Sequence, residues 1–199
     1  AVASGDCSVG AVEVEAAIEL TVGCDVVELT AALRHAALAE KATLHLAPGC
    51  TYTVAEPCIP KTAPARCQWQ DLGFFMGPNG LPLIQTDVTI VGNGATIARS
   101  SEVDTAPFRL FTIAGAFTEI ARQHSDPKAA IPGYPETGAL TLRDVRITNG
   151  LARGGRAMTY QGSLYSAGGG GAGMGGCLFV AGTATLDRTT VDGCVAEGG

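Results

Sequence analysis

The sequence predicts an all-β chain wound as a β-solenoid, in which short strands stack on their counterparts one turn below. One observation is the final stretch, Gly175–Gly199, which begins and ends with Gly-Gly and holds three short runs, Leu178–Val180, Ala184–Leu186 and Thr189–Val191. In these runs small and β-branched residues alternate with polar ones, giving each a buried face and a wet face. Another is that runs this short cannot stand as independent sheets and gain stability only by stacking on neighbours. The third is recurrence. The Leu83–Ile97 stretch and the Gly138–Gly150 stretch repeat the theme, Asp87-Val-Thr-Ile matching Asp144-Val-Arg-Ile. Against the final stretch, Thr141-Leu142 matches Thr185-Leu186, and Ile147 matches Val191.

Residues 1–23 read as an N-terminal extended arm, because Val12, Val14, Ile18, Leu20 and Val22 alternate with Glu13, Glu15, Glu19 and Thr21. Residues 24–199 read as a single solenoid domain. It opens with an amphipathic helix over about 25–41, where Asp25 is placed to accept the Glu28 amide and Glu28 to reach back. Val26, Leu29, Leu33 and Ala37 form the apolar stripe. This helix is expected to lid the first turn, since stacked repeats need a capped end. Thr43–Leu46, the APGC turn and Tyr52–Val54 follow as strand, turn, strand. Phe108–Ile113 is a further strand, and Asn93 in Gly92-Asn93-Gly94 suits a left-handed corner or a hydrogen bond along the stack. About four stacked turns result, interrupted by long loops at about 56–82, 115–137 and 151–174 that can gather on one side.

Composition narrows the function. The chain has 199 residues, 46% hydrophobic and 16% charged, with 27 glycines and a net charge of −6. That excludes a disordered chain, and without a basic stripe neither nucleic acid nor an anionic membrane is expected as partner. No apolar run is long enough for a membrane span. The start, AVASGDC, fits the end left by signal cleavage, and a segment boundary would look the same.

Cysteines stand at 7, 24, 50, 58, 67, 177 and 194, with no C-x-x-C pair, and the His residues at 35, 45 and 124 are scattered, so no zinc site or cofactor is expected. Disulfides in an oxidising compartment are the better reading, drawn from Cys24, Cys50, Cys58, Cys67, Cys177 and Cys194. The pairing stays open. A Cys24–Cys50 bridge would tie the helix to the first strand, worth roughly 3 kcal/mol in the chain-entropy account. Cys58 and Cys67 are spaced to staple the loop. Cys7 is the candidate for the odd thiol, free or linking subunits.

The pieces CDVVELTAAL, TLHLAPGCTYTV, GLPLIQTDVTIVGNGATIARS, FRLFTI, GALTLRDVRITNG and GGCLFVAGTATLDRTTVDGCVAEGG resemble the secreted right-handed parallel β-helix repeat proteins of actinobacteria. They are more distantly similar to polymorphic outer-membrane proteins and pectate-lyase-like folds. The resemblance covers most of residues 24–199 outside the loops. It implies a right-handed parallel β-helix in a secreted, extracellular or cell-surface protein. Family members usually continue through further Gly-Gly turns, and Cys194 stands where the family tends to carry Asn.

Catalysis finds no support. Asp87 and Asp144 are candidate paired carboxylates, but each heads a strand where a turn-capping Asp is expected. Arg99, Arg109, Arg143 and Arg146 are ordinary for the wet face of a strand. His35 and His45 are isolated, no Ser sits in a nucleophile elbow, and residues 167–176 lack the ending of a phosphate loop. The expected function is therefore a non-catalytic structural subunit. It would assemble head to tail with itself into extracellular fibres, by strand addition at the open C-terminal turn. The alternative is a carbohydrate-binding or polysaccharide-degrading module using Trp69, Phe74, Tyr134, Tyr160 and Tyr165. A cell-surface adhesin fragment is a further alternative, and a segment of a longer solenoid would present the same edge.

Overall fold

The computed structural model describes residues 16–58, 78–115, 138–154 and 172–199. The loop residues Trp69, Phe74, Tyr134, Tyr160 and Tyr165, together with Cys7 and Cys67, lie outside them.

The described residues are strand-rich with one helix, and their sheets are parallel. The chain runs β1 (Ile18–Val22), α1 (Val26–Ala36), β2 (Lys41–Leu46), β3 (Thr51–Val54), β4 (Asp87–Arg99) and β5 (Phe111–Ile113). It continues through β6 (Ala139–Thr148), β7 (Leu151–Arg153), β8 (Leu178–Val180), β9 (Thr183–Asp187), β10 (Thr190–Asp192) and β11 (Val195–Glu197). The main sheet has the order β1-β2-β4-β6-β10, with β3 also on β4 and β9 also on β6. Two smaller sheets pair β5 with β8 and β7 with β11.

The register places like on like. Ile18, Ala42, Val88, Leu140 and Ala184 form one column, and Leu20, Leu44, Ile90, Leu142 and Leu186 another. Tyr52, Ile97, Ile147 and Val191 form a third. Ile84, Ile113 and Val180 form a fourth. Alternation along each strand sends these side chains inward, and all but Val180, Ala184, Leu186 and Val191 join or pack against one apolar cluster with Leu29, Leu33, Leu81, Phe108 and Phe111. The intervening Thr43, Thr89, Thr141 and Thr185 align on the outer face. The expected matches of Thr141-Leu142 with Thr185-Leu186 and of Ile147 with Val191 are those of the observed register.

The match of Asp87 with Asp144 is corrected. Asp87 pairs with Lys41 and Ala139, whereas Asp144 occupies a corner further along its turn. The register shifts between Val91 and Ala95, where β4 carries Gly92-Asn93-Gly94 against the single Asp144 of β6. Left-handed backbone recurs at this corner, at Gly49, Asn93, Gly94, Asp144 and Arg188. Asn93 fulfils both of its expected roles: its φ is 52°, and its side-chain amide donates to the Leu46 carbonyl at 2.9 Å. Gly92 is required for closeness, because a Cβ there would lie 2.4 Å from the Asp144 carbonyl oxygen.

The helix is shorter than expected. It ends at Ala36, the chain turns through Leu38, and Lys41 already begins β2. The capping contacts are also offset. Asp25 accepts from the Val27 amide at 2.8 Å, and Glu28 accepts from the Gly23 amide at 2.7 Å. Leu29, Leu33 and Ala36, rather than Ala37, are the buried stripe. Val22, Leu44, Tyr52 and the helix stripe share the core cluster at this end of the sheet. Residues 18–22 are a sheet strand, and β7 lies inside the stretch expected as the third loop.

Two of the three loops leave from neighbouring strands. The Cys58 amide donates to Asn79, whose neighbour Gly80 touches Phe108, and the Leu151 amide donates to Phe108. The loop at about 115–137 leaves elsewhere: Gly115 lies against Ala181, and Gly138 against Ile84.

Candidate functional site

The residues Thr183–Glu197 form the outermost strands β9, β10 and β11, and among the described residues each pairs on one side only, with β6 or β7. Inward alternation continues into these strands, so Leu186 and Val191 extend columns whose members Leu142 and Ile147 are wholly buried. The same apolar positions are open here: Leu186 is 50% exposed and Val191 38%, while Val195, 46% exposed beside Leu151, shares the outer face with Glu197. Val180, at the top of its own column, is exposed too.

Three carboxylates rim this edge, each tied to a base 44 or 46 residues earlier in the chain. Arg146 makes a bidentate contact with Asp192, Nη2 to Oδ2 at 2.7 Å and Nε to Oδ1 at 3.2 Å. Arg153 Nη2 lies 2.8 Å from Glu197 Oε2, and Arg143 Nε lies 3.9 Å from Asp187 Oδ2. Hydrogen bonds from Arg146 and Thr148 hold the Asp192 carboxyl below its ordinary value, and Asp192 raises Arg146 in turn. Pairs this exposed contribute little to stability individually, and the bidentate one contributes most. They do fix the level of the last strands against β6 and β7.

Cystine chemistry clamps both ends of the stack. Cys177 and Cys194 sit at disulfide distance, with Cα atoms 5.2 Å apart, and the Cys177 sulfur accepts from the Gly150 amide at 3.2 Å. Cys24 and Cys50 form the other pair, joining the start of α1 to the turn before β3 as expected. Cys58 is also disulfide-bonded.

The remaining candidates do not converge. Asp87 faces Lys41 at 3.4 Å, far in register from Asp144, so the two carboxylates make no catalytic pair. His45 sits 4.0 Å from Glu19 on the outer face, and His35 lies in the last turn of α1. Arg143 and Arg146 are outward as expected. Arg99 donates to the Ser100, Thr105 and Ala106 carbonyls and covers the Phe108 ring. Arg109 is the exception to a wet-face position: it is 2% exposed, its guanidinium lies 5.2 Å from the Phe179 ring centre, and burial pushes its pKa down to about 10. Among the described residues, no group of three His, Cys, Asp or Glu could hold a metal ion. No described helix is long and apolar enough to cross a membrane.

Sequence reasoning missed the acidic rim, because partners so far apart in the chain meet only once the register is known. No protein-family model matches the chain, nor does any curated protein or solved structure.

Proposed function

We propose that the chain is a right-handed parallel β-helix and serves as a non-catalytic, secreted structural protein. In this reading it assembles head to tail into extracellular fibres by strand addition at Thr183–Glu197. Parallel register over successive turns supports the helix, and crossovers between parallel strands are overwhelmingly right-handed. Two cystine pairs fit an oxidising, extracellular setting. The observation that carries the assembly is the half-exposed Leu186, standing above a wholly buried Leu142. An unpaired strand edge with apolar inward positions is a template for another strand. Heterologous contacts that do not close produce filaments.

The test is electron microscopy and size-exclusion chromatography over a wide concentration range. Filaments or a concentration-dependent ladder of oligomers are expected. Leu186→Asp should weaken association at least tenfold while leaving the fold intact, because the side chain is already half exposed. Monomers alone at high concentration would defeat the reading.

A further inference from the structure

We infer that the partner at the open edge is the opposite end of a second copy, with its β1 seated on β9 in the register of the existing columns. This rests on the assembly reading above. Both strands have five residues, and both are outer strands of the same sheet. β1 already displays the required alternation toward β2, with Ile18 beside Ala42 and Leu20 beside Leu44. Continuing those columns upward puts Ile18 beside Ala184 and Leu20 beside Leu186. On the outer face Glu19 then meets Thr185 and Thr21 meets Asp187, so no like charges stand directly opposite.

The distribution of exposed apolar residues favours the same pairing of ends. Among the described residues, the large exposed ones are Val27, Leu38, Val103, Val180, Leu186, Val191 and Val195. Four of these belong to the top of the stack, Val27 lies in α1 and Leu38 just after it at the other end, and only Val103 lies elsewhere. Val27 is on the helix face opposite Leu29, Leu33 and Ala36, and Leu38 follows the helix in the turn before β2. At 68% and 71% exposed, they are placed to cover Val191 while β1 covers β9.

The inference is tested by register-specific cross-linking of the full chain. Single variants Glu19→Cys and Thr185→Cys are mixed and mildly oxidised, and covalent dimer is read on a non-reducing gel. Both positions are exposed, and in-register parallel neighbours lie about 4.8 Å apart, within disulfide reach. Several-fold more dimer is expected than from Glu19→Cys with Thr183→Cys, or from either variant mixed with the unmodified chain, which controls for native thiols. Filaments that form without this preference would overturn the seat and leave assembly standing. A chain that stays monomeric would overturn both.

Discussion

Tyr52 shows how one side chain joins three strands. It is wholly buried, its hydroxyl donates to the Val22 carbonyl at 3.3 Å and accepts from the Ala47 amide at 3.0 Å. These groups sit at the end of β1 and the turn before β3, so the ring fills the core while its oxygen closes the corner. Tyr52→Phe removes that oxygen while the Ala47 amide keeps its bond to the Val22 carbonyl at 3.1 Å, and should cost about 0.5–1.5 kcal/mol, read from the urea midpoint at unchanged m-value. Arg188 presents the reverse case. At φ 47° it is the residue least suited to the left-handed corner, its ion pair with Asp187 is exposed, and Asp187 keeps Arg143. Arg188→Asn should therefore stabilise the chain by about 0.5–1 kcal/mol, since Asn tolerates this backbone far better. A lowered urea midpoint would contradict that account.

At the scale of elements, the last strands are held by few hydrogen bonds, and the Arg146–Asp192 contact matters to them more than to the rest of the sheet. The folded-state pKa of Asp192 is lowered from 3.8, so its stabilising contribution is present above 3.8 and lost as pH falls through the lower folded value. Amide exchange of Thr190–Glu197 should accelerate in that acid range before exchange of β4 does, and Asp192→Asn should remove the difference. Elements also mark where sequence patterns carry information. Inward alternation and corner chemistry were legible in Leu142, Leu186, Ile147, Val191 and Asn93, because each follows from local spacing. The level of a strand was not. Asp87-Val-Thr-Ile and Asp144-Val-Arg-Ile look alike, yet Asp87 heads β4 opposite Ala139, whereas Asp144 stands at the corner of β6 opposite Gly92–Gly94. β7 escaped notice because three residues carry too little pattern, and it exists by pairing with β11. The acidic rim was hidden for the same reason of distance along the chain.

For the whole molecule, charge and hydrophobicity make opposite demands on end-to-end association. The chain carries a net charge of −6, and in the inferred seat Glu19 of one copy stands diagonal to Asp187 of the other. Such repulsion is screened within about 10 Å at 0.1 M salt. The attraction of that seat resides in Leu20 against Leu186 and in Val27 and Leu38 against Val191, which salt does not weaken. Assembly should therefore strengthen from about 10 mM to about 0.5 M sodium chloride, and weaken on cooling as hydrophobic stabilisation declines. Light scattering against salt and temperature reads both trends. If salt instead dissolves the assemblies, ion pairs hold the ends together, and the apolar contacts assigned here are not the cause. Glu19→Gln separates the contributions further: it should raise association at low salt and leave it nearly unchanged at high salt, because only the screened repulsion has been removed.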